Sequence, residues 1–168
     1  MRPLSRSSLL AKLPYEPPMR FVTDILEVDA DHIVGCYEWT EEDCAGHFRD
    51  NLIVPGVKIL ECAAQTGCVA WGLYHLSCSV APEEIAEYVG LFTSVERAVF
   101  KRTVRPGQVV RVEGTFGEDG YFRSNKILCE VVVRCEGGPA DGEEVFRGVL
   151  AGMWMPRVQV DSPEGGLA

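Results

Sequence analysis

The sequence has no apolar run that approaches the roughly 20 residues that a helix needs to cross a bilayer. It is also poor in positive charge, since 16 lysines and arginines stand against 25 aspartates and glutamates, for a formal net charge of −9 at pH 7. Because nucleic-acid binding relies on a basic face that neutralises phosphates, this balance excludes a nucleic-acid-binding protein. We therefore expect no nucleic-acid partner and no membrane association.

Paired cysteine motifs are missing as well. The seven cysteines contain no Cys-x-x-Cys pair, and their odd number leaves at least one outside any set of disulfides. The N-terminal segment has only a stub of apolar residues, at Leu9, Leu10 and Ala11, too short for the core of a signal peptide. We predict reduced cysteines that pack as small hydrophobic side chains, no metal site, and a soluble protein of the cytoplasm.

The composition that remains is that of a single globular domain. Of the 168 residues, 46% are hydrophobic and 24% are charged, which are ordinary values for a folded chain. Segment 1–12 is predicted to be a flexible N-terminus. Segment 158–168, which combines Pro, Gly and acidic residues without a period, is predicted to be a disordered tail. Residues 13–157 are then expected to form the domain.

Hydrophobic patterning predicts two strands, one long helix and then several strands. The first two strands, over residues 21–28 and 33–39, are separated by the turn signal Asp29-Ala30-Asp31 and form a hairpin. The helix is predicted from Val57 to about Leu76, after Pro55-Gly56. Later strands are predicted over residues 88–95, 98–104, 109–116, 126–135 and 145–155. Strands grouped around one helix indicate an α+β fold and not an alternating βαβ fold.

The predicted helix is apolar on nearly every side, so we expect it to be buried all round. One antiparallel sheet wrapped around a single central helix satisfies that requirement. The exception is a thin polar stripe formed by Lys58, Glu61 and Gln65, which are spaced i, i+3 and i+7. The stripe is either a solvated edge with a Lys58–Glu61 surface pair or part of a functional site, and the pattern leaves both open.

A chemically useful set of groups surrounds the start of this helix. His47 lies in the preceding loop, and histidine exchanges its proton near neutral pH. The free backbone N–H groups at a helix start, here at Gly56, can polarise a carbonyl oxygen. Glu61 lies one turn into the helix, and burial of a carboxyl group raises its pKa and suits it to donate a proton. These groups fit proton abstraction beside a carbonyl, followed by loss of a leaving group.

Short motifs in this region carry a specific resemblance. They are Gly46-His47-Phe48, Pro55-Gly56-Val57 and Ile59-Leu60-Glu61-Cys62-Ala63-Ala64-Gln65, and further along Phe100-Lys101-Arg102-Thr103-Val104-Arg105-Pro106-Gly107-Gln108. The chain resembles the hot-dog-fold (3R)-hydroxyacyl-acyl-carrier-protein dehydratases of type II fatty-acid synthesis, whose patterns are G-H-F, P-G-V, I-L-E-x-x-A-Q and F-K-R-P-V-x-P-G-D. The likeness covers residues 13–155.

The resemblance implies a role for each matching residue. His47 would remove the C2 proton, Glu61 would protonate the departing 3-hydroxyl, and the N–H of Gly56 would hold the thioester carbonyl. Gln65 would support the acid from one turn further along. In this family the site is shared across a homodimer, with the histidine from one subunit and the acid from the partner's helix. A glutamate as the acid is typical of the branch that dehydrates without isomerising.

The resemblance also implies the substrate's carrier and the absence of a cofactor. The acyl group would ride on the phosphopantetheine of acyl-carrier protein, or on coenzyme A, with no metal or organic cofactor. Basic residues at Arg97, Lys101, Arg102 and Arg105 are candidates for docking an acidic carrier protein, and their alternative is a plain solvated face. The product would be a trans-2-enoyl thioester of fatty-acid, polyketide or other specialised lipid synthesis.

The chain departs from the family pattern at two places near the site. Arg49-Asp50 replaces the usual Pro-Gly after G-H-F, and Lys58 stands where an apolar residue is usual. If Lys58 paired with Glu61, the carboxyl group would stay ionised and donate a proton less readily. These departures keep two alternatives open: a hot-dog thioesterase, which would not need His47 at this spacing, and a non-catalytic acyl-binding or scaffold protein. Acyl chain length and the choice between a dimer and a hexamer are left open.

Overall fold

The computed structural model describes residues 3–157, so the predicted tail over residues 158–168 lies outside the described part of the chain. The helices are α1 (Arg6–Lys12), α2 (Gly56–Ala64) and α3 (Trp71–Ser77), and a π-helical stretch, Gln65–Ala70, joins α2 to α3. The strands are β1 (Asp24–Val28), β2 (His32–Glu38), β3 (Tyr88–Phe100), β4 (Val109–Thr115), β5 (Tyr121–Arg123), β6 (Lys126–Glu136) and β7 (Glu144–Pro156). Short 3-10 turns lie at Glu42–Cys44, Glu84–Glu87 and Gly138–Ala140.

The strands form one antiparallel sheet in the order β1-β2-β4-β6-β7-β3, with β5 paired to β6. The helix formed by α2, the π-helical stretch and α3 packs against the inner face of this sheet. This arrangement confirms the α+β prediction and the hot-dog fold, with an antiparallel sheet around one long helix. No helix in residues 3–157 is both long enough and apolar enough to span a membrane.

The central helix is buried as its composition predicts. Every residue from Cys62 to Leu73 is buried, and the one exposed residue of the helix is Val57, near its start, at 73%. Glycine lets the helix approach the sheet, because a Cβ atom added at Gly67 would lie 2.5 Å from Cγ2 of Val131. The exposed Val57 therefore places the Gly56 end of the helix at the surface of the chain.

Within the segment predicted to be a flexible N-terminus, residues 1–12, residues 6–12 form α1. The hydroxyl of Ser5 caps this helix by accepting a hydrogen bond from the backbone N–H of Ser8, at 3.2 Å. Leu9 is fully buried in the core, and the N–H of Leu4 donates to the hydroxyl of Ser77 at 3.0 Å. The short apolar stub that is too small for a signal peptide is sufficient to anchor this helix of about two turns to the core.

Two further predictions concern β3 and the cysteines. The strands predicted over residues 88–95 and 98–104 are a single strand, β3, whose pairing with β7 is interrupted by two bulges. The residues after Phe100 leave the sheet. All seven cysteines are free, and five of them are buried and pack as small apolar side chains, as predicted. Cys36 is half-buried, and Cys78 is exposed, so the prediction is wrong for Cys78.

Candidate active site

His47 lies in a loop between the Glu42–Cys44 turn and α2, and its ring is oriented by the loop itself. Its Nδ1 atom lies 2.9 Å from the carbonyl oxygen of Ile53, and its backbone N–H donates to the carbonyl of Cys44 at 2.9 Å. Because a carbonyl only accepts, Nδ1 carries the proton, and Nε2 of the neutral ring is left as a proton acceptor. The ring packs against Phe48 with centroids 4.2 Å apart.

Helix α2 begins at Gly56 without a side-chain cap. The N–H groups of Lys58 and Ile59 turn back to the carbonyl of Pro55, at 2.9 and 3.2 Å, whereas that of Gly56 has no acceptor within the helix. The ring of Phe100 lies over Gly56, since a Cβ atom added there would be 3.2 Å from Cε1 of Phe100. Glycine at this position therefore leaves room for the aromatic ring beside a free backbone donor.

Glu61 is held by Gln65, whose side chain is fully buried. The amide nitrogen of Gln65 donates to Oε1 of Glu61 at 2.8 Å and to the carbonyl of Met19 at 2.7 Å. Its amide oxygen accepts from the N–H of Phe21 at 2.8 Å, and this bond fixes which way the amide faces. Gln65 thus presents a donor to the Glu61 carboxyl group in a defined orientation.

Lys58 does not pair with Glu61 in the described structure. Its ammonium donates to the backbone carbonyl of Asp43 at 2.8 Å and lies 5.7 Å from the centre of the Phe21 ring. Lys58 and Glu61 are both half-buried. The polar stripe is therefore not a solvated edge, and the surface pair considered from the sequence is absent from residues 3–157.

Tyr15 is a neighbour of Glu61 that the sequence does not single out. Burial raises the pKa of its hydroxyl well above the usual range, and the nearby Glu61 carboxylate and Cys68 raise it further. Tyr15 packs against the core and lies close enough to Glu61 for the two groups to interact electrostatically. Its signal in the sequence is weak, because an aromatic residue between prolines looks like part of an extended entry segment.

Within residues 3–157, the described hydrogen bonds join Gln65 to Glu61, but they join neither His47 nor Gly56 to this pair. Around the start of α2, three large apolar side chains are exposed: Phe48 by 57%, Val57 by 73% and Phe100 by 49%. The residues 3–157 contain no cluster of three or more His, Cys, Asp or Glu side chains that could hold a metal ion.

The four basic candidates for carrier docking are exposed, but three of them already have partners in the chain. Lys101 forms an ion pair with Glu144 at 2.7 Å, and Arg102 pairs with Glu143. Hydrogen bonds from Arg147 and Lys101 lower the pKa of Glu144 to about 2, so this carboxylate stays charged. Arg105 donates to Oδ1 of Asn51 at 2.7 Å. The positive field of this surface is therefore weaker than the residue types alone indicate.

The other two histidines have structural surroundings. His32 lies in the β1–β2 turn, 3.0 Å from Asp29 and 3.3 Å from Glu27, and these carboxylates raise the pKa of its ring. His75 stacks on Phe122 near the end of α3, and burial lowers the pKa of its ring. Neither contacts the groups around Gly56 in the described structure.

Comparison with known proteins identifies relatives in sequence and in fold. No protein-family model matches the chain. A 3-hydroxyacyl-[acyl-carrier-protein] dehydratase FabZ from Chloroflexus aggregans is 40% identical over 113 residues, covering 66% of this chain and 73% of that protein. The dehydratase heterocomplex ApeI:P from Xenorhabdus doucetiae superposes with a TM-score of 0.68 at 15% identity, covering 94% of each chain. A thioesterase from Haemophilus influenzae superposes with a TM-score of 0.64 at 13% identity, covering 92% of this chain and 93% of that chain, so fold alone does not separate these activities.

Proposed function

Since the chain belongs to the FabZ family of 3-hydroxyacyl-[acyl-carrier-protein] dehydratases, we propose that it is a hydro-lyase that converts a 3-hydroxyacyl thioester to the trans-2-enoyl thioester in fatty-acid biosynthesis. The observation that supports this function best is the geometry of His47. Its Nδ1–H is bonded to Ile53, so Nε2 is the atom available to accept a proton. A thioesterase that activates water with the helix carboxylate has no need of a histidine oriented in this way.

The elimination can be written with the groups of the site. Nε2 of His47 takes the proton from C2, and the N–H of Gly56 donates to the thioester oxygen as negative charge grows on it. The electron pair left at C2 forms the C2–C3 double bond while the C3–O bond breaks. Glu61 in its protonated form gives its proton to the departing oxygen, so water leaves. The thioester itself acidifies C2, and we propose that no metal or organic cofactor takes part.

A homodimer would bring His47 and Glu61 together, and two features of the single chain support it. Strand β3 has 13 residues and, within residues 3–157, pairs only with β7 and forms a free edge of the sheet. Such edges readily pair with another strand. Phe48, Val57 and Phe100 expose apolar surface near the start of α2. We propose that a second copy covers this surface and supplies Glu61 to the partner's histidine.

The same proposal includes acyl-carrier protein as the carrier, fatty-acid biosynthesis as the pathway and the cytoplasm as the compartment. Relatives that are named for acyl-carrier protein favour that carrier over coenzyme A, and the exposed Arg97 remains available for docking. A cytoplasmic location would fit this role. A polyketide or other specialised lipid substrate in place of a fatty-acid intermediate is an outcome that substrate assays distinguish.

The function is tested by offering the purified protein matched 3-hydroxyacyl thioesters on acyl-carrier protein and on coenzyme A. Formation of the enoyl product is expected, and His47→Ala and Glu61→Gln should each lower kcat by at least about a hundredfold, because each removes a proton-transfer group. His32→Gln and Glu113→Gln, on the outer face of the sheet, are the matched controls and should leave kcat within about twofold. Release of free thiol would identify a thioesterase, and binding without turnover would identify a non-catalytic acyl-binding protein; either result rejects the proposal.

A further inference from the structure

The loop that carries His47, residues 44–55, is called the His47 loop below. The orientation of the histidine depends on where this loop places the carbonyl oxygen of Ile53, which accepts from Nδ1 at 2.9 Å. His47, Phe48, Arg49, Asp50 and Asn51 lie at or near the surface, so internal packing alone does not hold the loop. Contacts from outside the loop must therefore hold the Ile53 carbonyl in place.

At its C-terminal end, the His47 loop is bound by Arg105 and its neighbour. The guanidinium of Arg105 donates to Oδ1 of Asn51 at 2.7 Å and to the carbonyl of Leu52 at 3.4 Å. The carbonyl of Val104 accepts from the N–H of Val54 at 2.8 Å. Residues on both sides of Ile53 are thus attached to the same two residues, 104 and 105.

Arg105 itself is held in a defined turn. Its backbone N–H donates to the side chain of Gln108 at 2.8 Å, and the N–H of Gly107 donates to the carbonyl of Trp39 at 2.7 Å. Gly107 has φ of +82°, a left-handed conformation that glycine adopts without strain. The segment that carries Arg105 is consequently attached to the core through buried Trp39.

At its N-terminal end, the His47 loop is attached to the central helix by Lys58. The Lys58 ammonium donates to the carbonyl of Asp43 at 2.8 Å, beside Cys44, whose carbonyl accepts from the N–H of His47. Asp43 is buried, and its carboxylate accepts from the Tyr37 hydroxyl at 3.1 Å and from the N–H of Thr40 at 2.9 Å. The start of the loop is therefore connected both to the helix that carries Glu61 and to β2.

We propose that Arg105 and Lys58 are positioning residues that hold the two ends of the His47 loop, so that the Ile53 carbonyl keeps the proton of His47 on Nδ1. The predicted effect on kcat rests on the proposed function. The predicted position of the proton on the His47 ring rests on the geometry alone. Arg105 occupies the variable position of the F-K-R-P-V-x-P-G-D pattern, and Lys58 replaces a usual apolar residue. The arrangement therefore lies outside the motif positions that carry the family resemblance.

Kinetics separate positioning from carrier docking. In Arg105→Gln and Lys58→Met, kcat should fall about fivefold, since each loses hydrogen bonds that hold the loop, while KM stays within about twofold. The loss should be the same for a substrate on acyl-carrier protein and for the same acyl group on N-acetylcysteamine, which has no carrier to dock. A rise in KM confined to the carrier-bound substrate would overturn the positioning role of Arg105.

Conservative variants and a variant on β4 serve as controls. Arg105→Lys and Lys58→Arg keep a cationic donor and should recover most of the lost kcat. Arg111→Gln removes a partly exposed cation on β4 that pairs with Glu27, outside the His47 loop, so its kcat should stay within about twofold of the unaltered protein.

A second readout does not depend on activity. Nitrogen NMR of the imidazole should show His47 with its proton on Nδ1 in the unaltered protein, and a mixture of the two neutral tautomers in Arg105→Gln and in Lys58→Met. An unchanged tautomer in both variants would overturn the inference, whatever their kcat. If the tautomer shifts while the unaltered protein dehydrates no substrate, the positioning role stands and the proposed function fails.

Discussion

At the residue scale, the site depends on donors and acceptors that each have one orientation. The amide oxygen of Gln65 is bonded to the N–H of Phe21, so its amide nitrogen must face Glu61 and Met19. The carbonyl of Ile53 determines in the same way which nitrogen of His47 is free. The orientations of His47 and Glu61, the base and the acid of the proposed mechanism, are therefore set by neighbouring groups with no role in the proposed proton transfers.

Replacing Gln65 by Glu should lower both activity and stability. The variant replaces the amide nitrogen that donates to Glu61 and to the Met19 carbonyl by an oxygen that cannot donate when ionised, and the N–H of Phe21 already faces the other oxygen. A second carboxyl group then lies against Glu61 in a fully buried position. We expect kcat to fall more than about tenfold, and the free energy of unfolding to fall by about 1–3 kcal/mol. Steady-state kinetics and urea unfolding measure the two effects.

Glu113→Gln, on the outer face of the sheet, is the control for the loss or gain of one carboxylate at a distance from the site. It should leave kcat within about twofold and change the free energy of unfolding by no more than about 0.5 kcal/mol. A Gln65→Glu protein with unaltered kcat would show that the Gln65 amide does not orient the acid.

At the element scale, the central helix is placed by close contact with the sheet. The helix predicted over residues 57–76 corresponds to the continuous run from Gly56 to Ser77, because an apolar periodicity of this length identifies a buried helix. The π-helical stretch within it leaves no trace in that periodicity. Helix α1 could not be predicted from the sequence either, because seven residues with one buried leucine are too few to show a helical hydrophobic period.

Gly67→Ala should destabilise the fold, although alanine favours a helix. The added methyl group would lie 2.5 Å from Cγ2 of Val131, on a strand paired on both sides, so neither the helix nor β6 can give way cheaply. We expect a loss of about 1–3 kcal/mol in the free energy of unfolding, measured in urea.

The adjacent substitution Thr66→Val is the matched control. The Thr66 hydroxyl is buried without a hydrogen-bond partner among the described residues, so its exchange for a methyl group should be neutral or stabilising. A Gly67→Ala protein as stable as Thr66→Val would contradict the close packing of helix and sheet.

At the scale of the whole molecule, the chain carries a net charge of −9, and the proposed function requires a second chain to complete the site. Two of the four basic residues near the end of β3 are neutralised by Glu143 and Glu144, which leaves little general attraction for an acidic carrier protein. Exposed apolar surface at Phe48, Val57 and Phe100 and the free edge of β3 are what the single chain offers to a partner. Assembly with a second copy is therefore the step on which the proposed activity depends.

The sequence predicts much of this molecule because its motifs are local. His47, Gly56, Glu61 and Gln65 fall within 19 consecutive residues, so their identity could be recognised without the fold. Tyr15, Arg105 and the Lys58–Asp43 contact could not be predicted, since each depends on segments brought together by the sheet. The ion pairs that weaken the basic surface also join residues about 40 positions apart.

Mixing two inactive variants tests most directly that His47 and Glu61 from different chains form one active site. His47→Ala and Glu61→Gln are each expected to be inactive, but a mixed dimer contains one site with both groups intact. After subunit exchange, half of the dimers should be mixed, so dehydration should return to about a quarter of the unaltered rate. If the mixture stays inactive while exchange is verified by mass, His47 and Glu61 do not act across two chains, and the account of the site is contradicted.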